Sequence, residues 1–286
     1  TLGMVQIFPG KIVKVDLEGN PAGEFNPDTG DATAGGFLAL VNCRSAGGNL
    51  VLSGIKISMD QAAGTQDRTF FLRSYALDGA QKAEYFTKQI TWSFANLEFN
   101  EIDNDFVWWR MDVGKDGRVV VCPERYDYKL HVYGADGTLE RVFGREFESW
   151  KRNEEIMGRY TAIMEAQAAQ FPPGTPINVE DKEQDVSDLR IAEDGSVWIL
   201  NSRMMFEPTE GIFATYDVFT PDGVFDRQVQ VKCDGNSVSD RLIFAGTDRV
   251  FQVTGFWDAV LSASAAATDE DEDEAEPMEV ICYKVK

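Results

Sequence analysis

Residues 116–143 read "DGRVVVCPERYDYKLHVYGADGTLERVF". This stretch contains two Asp-Gly pairs, and short apolar segments lie beside both of them. Asp-Gly tolerates the positive φ that tight hairpin turns require, so each pair predicts two antiparallel strands joined by a turn. Together with the preceding apolar segment, the stretch predicts a meander of four antiparallel strands.

The same pattern returns along the chain. Residues 191–203, "IAEDGSVWILNSR", repeat its first half, and further hairpin turns are expected at Gly19, Gly79 and Gly223. Four-stranded meanders cannot bury both faces alone, and radial stacking of such units gives a β-propeller. We therefore predict an all-β fold, a β-propeller of four-stranded antiparallel blades in one domain over residues 1–286, with a β-sandwich as the alternative.

Two segments interrupt the repeats. Residues 149–171 carry apolar side chains at helical spacing and end before Pro172-Pro173-Gly174, which predicts a helical insertion. Such a helix must bury its apolar stripe against the blades or a partner, so we expect an additional docking element. Residues 258–279 are rich in Ala and Ser and then acidic, which predicts a flexible acidic loop.

Residues 115–143 resemble the repeat of the NHL-type six-bladed β-propeller family, in which strands, Asp-Gly turns and a polar loop follow one another in this order. The repeat that contains Gly195 matches with an enlarged loop at 204–211. In two other repeats Gly47-Gly48 and Thr247-Asp248 replace the Asp-Gly turn. The resemblance implies a scaffold of six blades and does not specify a function.

The blade count raises the question of closure. Three nearly complete blades and two partial ones are visible, since residues 1–25 supply only outer strands and the chain ends on a third strand, "MEVICYKVK". An unpaired blade edge invites aggregation. We therefore expect that a strand near the N-terminus closes the last blade, or that sequence upstream of Thr1 or a complementing chain supplies the missing part.

Composition excludes several partners. The net charge of −21 argues against nucleic acid, and removing the eight acidic residues of 269–279 still leaves −13. No apolar run approaches the roughly 20 residues of a transmembrane helix. The four cysteines contain no C-x-x-C pair, and both two disulfides and four buried thiols remain compatible with their spacing: Cys43, Cys122, Cys233 and Cys282.

A polar channel is the first predicted site. The first strand of each propeller blade lines the central channel, and aligning Gly117 with Gly195 places charged residues at equivalent first-strand positions. Residues two apart on a strand share a face. The predicted lining is Arg110, Asp112, Asp188, Arg190 and Arg241. These charges either pair between blades or hold a small polar ligand.

The loops between second and third strands form the second predicted site. Residues 123–129 and 201–211 combine aromatic, apolar and charged side chains, as recognition surfaces commonly do. The predicted contact residues are Glu124, Arg125, Tyr126, Asn201 and Arg203, with Trp108 beside the channel. Packing of Met204, Met205 and Phe206 against the helical insertion is the alternative.

Catalytic patterns are sparse. His131 is the only histidine and lies on a predicted third strand, so a Ser-His-Asp triad or a multi-histidine metal site is not expected. Related propeller lactonases bind a divalent ion through carboxylate and amide ligands, and the resemblance implies these candidates here: Asp103, Asp105, Asp188 and Asn201.

We therefore expect a non-enzymatic binding or assembly module without a cofactor, which presents a propeller face to a protein, a peptide or a small polar ligand. The alternative is a metal-dependent hydrolase or lactonase that uses channel carboxylates. Bacterial members of this family are often exported, so the resemblance implies an extracytoplasmic protein, periplasmic or secreted, with a cytoplasmic location as the alternative.

Overall fold

A computed structural model describes residues 2–27, 36–246, 248–264 and 278–284. The first sheet contains β1 (Leu2–Gln6), β2 (Lys11–Val15) and β3 (Pro21–Phe25), in that order. The second contains β4 (Phe37–Ala46), β5 (Asn49–Asp60), β6 (Thr65–Ala76) and β7 (Gln81–Ser93). A 3-10 turn at Phe94–Asn96 follows, and then β8 (Phe99–Asn100) and α1 (Glu101–Asn104).

The third sheet contains β9 (Met111–Val113), β10 (Val119–Val121), β11 (Lys129–Tyr133) and β12 (Leu139–Gly144). After α2 (Glu154–Ala168) and β13 (Ile177–Asn178), the fourth sheet contains β14 (Val186–Ile191), β15 (Val197–Asn201), β16 (Ala214–Phe219) and β17 (Phe225–Val231), with α3 (Ser202–Phe206) after β15. The fifth contains β18 (Arg241–Ala245), β19 (Arg249–Val253) and β20 (Val280–Lys284), with α4 (Phe256–Ser264) before β20.

All five sheets are antiparallel meanders in which consecutive strands pair. This confirms the predicted fold class, an all-β propeller architecture of antiparallel blades. Within the described residues, three of these sheets have four strands and two have three, which matches the three nearly complete and two partial blades predicted, and β8 and β13 form a separate two-stranded parallel sheet. No helix of the described part is long and apolar enough to cross a bilayer.

The chain divides into two compact units. The first comprises Thr1–Leu97, Asp105–Glu124 and Lys129–Gly144 and holds the first three sheets. The second comprises Glu98–Asn104, Arg125–Tyr128 and Arg145–Lys286 and holds the fourth and fifth sheets. Each unit has an apolar core of its own, because its sheets stack with their apolar faces together.

In the first unit, two layers of apolar side chains separate three sheets. Between the first and second sheets, Ile12 and Phe25 pack on a cluster that includes Leu40, Phe71 and Tyr75. The layer between the second and third sheets contains Phe70, Leu72, Tyr85, Val119 and Val121. In the second unit, Tyr216 and Leu200 of the fourth sheet pack on Leu242 and Val250 of the fifth.

The outward faces of the first and fifth sheets differ from these buried faces. On the first sheet, Leu2 and Met4 are 58% and 52% exposed on the side opposite Ile12. On the fifth sheet, Ile243 and Val280 are 45% and 68% exposed on the side opposite Leu242. Neither of these apolar faces is buried within its own unit.

The acidic-Gly turns have the geometry that the sequence predicts. Gly19, Gly79, Gly137 and Gly223 all have φ between 80° and 96°. The Asp136 carboxylate accepts the backbone N–H of Thr138 at 3.0 Å, and this bond together with Thr138's side chain lowers the pKa of Asp136. The carboxylate thus fixes the turn while the glycine supplies the positive φ.

Two of these turns allow a controlled prediction. Gly19 and Gly137 share a φ of 87°, but an added Cβ at Gly137 would lie 3.0 Å from the carbonyl oxygen of Glu84, whereas nothing lies within 4 Å at Gly19. Gly19→Ala should cost about 1–2 kcal/mol from the positive φ alone. Gly137→Ala should cost about 1 kcal/mol more, because it also overpacks the neighbouring sheet. Equal shifts in urea denaturation would contradict this contact.

The helical insertion is shorter than the predicted 149–171. The side chain of Asn153 accepts the backbone N–H of Ile156 at 2.9 Å and caps the helix, so α2 begins at Glu154. The apolar stripe of α2 is buried within the chain at Ile156 and Met164, and Tyr160 lies 3.6 Å from the Arg152 guanidinium. The helix therefore packs on its own unit and does not present this stripe to a partner.

The predicted acidic loop, 258–279, begins as a helix. Trp257 donates its backbone N–H to the carbonyl of Ser239 at 2.8 Å, and the helix that starts at Phe256 runs to residue 264. Its apolar sequence, "FWDAVL", explains why this part is folded. The acidic residues 269–277 lie outside the described part.

Candidate functional site

Asp112, a predicted channel residue of the first unit, is joined to polar side chains of β4 that the sequence analysis did not name. Arg44 donates Nε to the Asp112 carboxylate at 3.1 Å and Nη1 to the side-chain oxygen of Asn42 at 2.6 Å. Asn42 in turn donates Nδ2 to the carbonyl of Trp108 at 3.1 Å. Polar side chains of β4 and β9 therefore meet.

Arg110 is the most buried charge of this unit. Its side chain is 1% exposed, and Nη2 lies 2.9 Å from Oδ2 of Asp105. The Nε and Nη1 atoms are also buried, and neither has a hydrogen-bond partner among the residues described. The residue directly precedes β9, and its carbonyl oxygen accepts the backbone N–H of Cys122 at 2.9 Å, so Arg110 extends the pairing of β9 with β10 by one residue. A bend covers residues 108–110.

In the second unit, Asp188, Arg190 and Arg241 come together where β14 faces β18. Arg241 Nη2 lies 3.2 Å from Oδ1 of Asp188. The Arg190 guanidinium stacks 3.6 Å from the ring centroid of Phe244 and 4.8 Å from that of Trp198. Asp188 and Arg241 thus form an ion pair, and Arg190 packs on two aromatic rings of the same unit.

Tyr216 lies beside this charged group. Burial raises the pKa of the Tyr216 hydroxyl, and the nearby Asp188 carboxylate raises it further, while Arg190 and Arg241 oppose the shift. Phe244 contacts Tyr216 edge-on at 5.7 Å. The tyrosine therefore stays neutral and packs as an aromatic wall of the group.

The loop 123–129 is organised differently from the predicted recognition surface. Glu124 is exposed, but Arg125 is buried and donates Nη2 to the Glu101 carboxylate at 2.7 Å. Tyr126 is 39% exposed and donates its hydroxyl to Glu180 at 2.5 Å. Arg125 is therefore a structural residue, because its ion pair holds it inside the second unit.

Sequence reasoning missed the partners of Arg125. Glu101 also receives two hydrogen bonds from Arg152, from Nη1 to Oε2 and from Nη2 to Oε1, each at 2.7 Å. Arg152 Nε reaches Glu183 at 3.0 Å. Burial opposes ionisation of Glu101, but the hydrogen bonds and charges of Arg152 and Arg125 outweigh it and lower its pKa. We call these four residues the carboxylate–arginine network: Glu101, Arg125, Arg152 and Glu183.

The second predicted loop folds into α3. Asn201 is buried and accepts the backbone N–H of Met204 at 3.0 Å, so it caps this helix. Phe206 stacks on Trp150 at 4.8 Å, just before α2. Arg203 donates to the carbonyl of Glu148 at 3.3 Å. This part of the chain follows the alternative, in which the loop packs against the helical insertion.

Trp108 and Trp109 are both half-buried. Trp108 contacts Phe106 at 4.9 Å and Phe70 at 6.0 Å. The bend at 108–110 removes the strict alternation of a strand, so both indoles reach the boundary of the core. Trp108 thus lies beside the polar group of the first unit.

Each candidate metal ligand makes a hydrogen bond or an ion pair with another residue of the chain. Asp103 accepts from the side chain of Asn100 at 2.9 Å, while Asp105 and Asp188 pair with arginines. Asn201 caps α3 and donates to Asp217. Within the described residues, no group of three or more histidine, cysteine or carboxylate side chains is arranged as a metal site.

The thiols and the histidine occupy structural positions. All four cysteines remain thiols, and burial raises the pKa of Cys43 and of Cys233 to about 11, with the acidic neighbours of Cys233 adding to its shift. His131 lies on β11, as predicted, where Nδ1 is 3.4 Å from the Tyr133 hydroxyl.

Comparison with known proteins gives no assignment: no protein family matches the chain, and no curated protein shows significant sequence similarity to it. The five antiparallel blades are consistent with a propeller scaffold, while the NHL type rests on the sequence motif alone.

Proposed function

We propose that this protein is a non-enzymatic binding module in which the polar group beside β9 receives an oxygen atom of a ligand or peptide, with Arg110 as the principal donor. The single observation that carries the proposal is the state of the Arg110 guanidinium. It is buried, it is held in place by Asp105, and two of its three nitrogens have no acceptor within the described part of the chain.

Physical chemistry makes this arrangement unusual. A guanidinium is always charged and carries five N–H bonds, of which three belong to Nε and Nη1. A buried donor without an acceptor costs about 1–3 kcal/mol, and more when it is charged. An oxygen acceptor from outside the chain would remove that cost, so the site favours a ligand that accepts hydrogen bonds.

Charge selects among such ligands. Two ion pairs lie beside β9, so that the charges of Arg44 and Arg110 are matched by those of Asp112 and Asp105. An added carboxylate or phosphate would leave an unmatched buried negative charge in a chain whose net charge is already −21. A neutral acceptor, such as a peptide carbonyl or a hydroxyl, fits without this penalty.

Titration with two small probes tests the proposal. N-methylacetamide carries the peptide carbonyl, and acetate is a charged molecule of similar size. Added to the full ¹⁵N-labelled chain, N-methylacetamide should shift the Nε–H resonance of Arg110 in a saturable manner, and acetate should not. The resonance is identified by its loss in Arg110→Lys, and Arg118→Lys, at an exposed arginine, is the matched control.

Two results would overturn the proposal. One is an Nε–H resonance of Arg110 that responds to neither probe, since the buried donors would then be satisfied by water alone. The other is an Arg110→Lys protein whose remaining resonances show unchanged affinity for N-methylacetamide, since the probe would then bind elsewhere.

From the resemblance of residues 115–143, we also propose that the protein is related to the NHL type, has six blades and is an exported bacterial protein, periplasmic or secreted. A protein or peptide partner agrees with the carbonyl preference argued for Arg110. It also agrees with the propeller scaffold, which is compatible with a binding module.

A further inference from the structure

We infer that Asp234-Gly235 is a site of spontaneous covalent modification, at which aspartate converts to isoaspartate and loosens the start of the fifth sheet. The backbone nitrogen of the glycine attacks Cγ of the aspartate and forms a C–N bond, while the N–H proton and the hydroxyl of the protonated carboxyl group leave as water. Water then opens the cyclic succinimide at either carbonyl, which restores aspartate or leaves the chain linked through Cγ. The inference goes beyond the proposed ligand site and does not depend on Arg110.

The first argument is a comparison of the glycine nitrogens in the six Asp-Gly pairs of the sequence. In five pairs the glycine N–H donates to the carbonyl oxygen three residues earlier, at 2.8 to 3.0 Å, and closes a turn. These glycines are Gly79, Gly117, Gly137, Gly195 and Gly223. Attack on Cγ requires the nitrogen to lose its proton, so this hydrogen bond must break before the reaction.

The carboxylates of four of these turns are held as well. Asp136 accepts the backbone N–H of Thr138 at 3.0 Å, and equivalent bonds reach Asp78, Asp116 and Asp194 from the residue two positions later. A pair held at both groups must open two hydrogen bonds before it reacts. It should therefore convert about tenfold or more slowly than a pair that rotates freely.

Asp234-Gly235 makes neither kind of bond. In the part of the chain that the structure describes, the Asp234 side chain accepts no hydrogen bond and the Gly235 N–H donates none. Both residues are exposed in a bend between β17 and β18, and the φ of Gly235, 124°, differs from the 80–96° of the five turns. Glycine has no side chain to hinder the approach to Cγ. The reacting groups can therefore meet here without the loss of a hydrogen bond.

The second argument concerns what the conversion changes. Gly235 is tightly packed, because a Cβ added there would clash with Nε2 of Gln252 and with Oδ2 of Asp240. The next residue, Asn236, donates its backbone N–H to the same Asp240 carboxylate at 3.1 Å. Isoaspartate inserts one more carbon atom into the backbone just before these contacts, so it should displace both residues from the carboxylate.

Asp240 connects this bend to the fifth sheet and to α4. It directly precedes β18, and its carboxylate also accepts Nε2 of Gln252 on β19 at 2.8 Å. A further bond comes from the backbone N–H of Gly255, immediately before α4, at 3.0 Å. The conversion should therefore weaken a group of hydrogen bonds that joins two strands and a helix of the second unit.

Peptide mapping of the full chain after incubation at neutral pH tests the inference. Trypsin releases residues 233–241 and 130–141, which contain Asp234 and Asp136, and electron-transfer fragmentation distinguishes isoaspartate from aspartate in each. In the folded protein, isoaspartate should accumulate about tenfold or more faster at Asp234 than at Asp136. In urea, the two sites should react at similar rates, because the hydrogen bonds of the turn are lost.

Asp234→Glu is the matched variant. A glutamate must close a six-membered ring to react, which is much slower, and the exposed position tolerates one more methylene group. Incubated wild-type protein should unfold at a lower urea concentration than a fresh sample. The incubated Asp234→Glu protein should keep the urea midpoint of its own fresh sample.

Two results of the mapping would overturn the inference. One is isoaspartate that forms in the folded protein as fast at Asp136 as at Asp234, and the other is no isoaspartate at either site while the unfolded protein reacts. Conversion at Asp234 with an unchanged urea midpoint would overturn the second part, the loosening of the fifth sheet.

Discussion

Replacing Glu101 by glutamine should lower the free energy of unfolding by about 3–5 kcal/mol, the usual cost of breaking a buried ion pair from one side. The substitution keeps the shape of the side chain but removes the charge that Arg125 and Arg152 share. Both guanidiniums would remain buried, with Glu183 as the remaining carboxylate of the network. Urea denaturation followed by tryptophan fluorescence measures the change.

The matched control is Glu140→Gln. Glu140 also pairs with an arginine, Arg118, at 2.8 Å, but both side chains are substantially exposed. Exposed pairs contribute about 0–1 kcal/mol. Similar losses in the two variants would show that burial does not decide the strength of these pairs and would contradict the structural role of the carboxylate–arginine network.

The wild type and the Glu101→Gln protein should also differ in how their stability changes with pH. The folded pKa of Glu101 is lowered, so its contribution to stability is fully present above the unfolded carboxyl pKa of about 4.3 and is lost as the pH falls through the folded value. Glu101→Gln removes this titration. Its stability should therefore fall less steeply between neutral pH and acid than that of the wild type.

Replacing Phe71 by alanine should destabilise the first unit by about 3–5 kcal/mol, because a fully buried aromatic ring leaves a cavity that well-packed surroundings cannot fill. Phe71 is completely buried between the first and second sheets. Its ring also lies over Gly54, where an added Cβ would approach Cζ of Phe71 to 2.8 Å. The side chain is therefore tightly packed against the neighbouring strand.

Phe94→Ala provides the comparison, since Phe94 is 41% exposed in the same unit. It should cost well under half as much, because much of the ring already contacts water. A Phe71→Ala protein as stable as the Phe94→Ala protein would mean that the first and second sheets are not packed as described.

Much of the fold could be predicted from local sequence patterns. The hairpin turns at Gly117, Gly137 and Gly195 follow from the chemistry of Asp-Gly, and all three have positive φ in the structure. The three full and two partial meanders also follow, because turn spacing and apolar segments act over a few residues. The predicted bounds of the helical insertion were less accurate, because a single capping side chain, Asn153, determines where α2 begins.

The site was predicted only in part. Alternation along strands placed Asp112, Asp188 and Arg241 among the polar first-strand residues, and the structure gives each of them an ion-pair partner. The sequence offered no signal that Arg125 is buried or that Glu101 matters, because Glu101 lies 24 residues from Arg125 and 51 from Arg152.

The antiparallel repeats follow from the amino-acid sequence alone, since backbone conformation at a turn depends on the residues that form it. The burial and pairing of the charges, in contrast, depend on the folded structure. Arg110 and Arg125 look alike in the sequence, yet Arg125 is bound to Glu101, while two nitrogens of Arg110 have no acceptor among the described residues. Solvation and pairing depend on neighbours that are distant along the chain, and folding brings those neighbours together.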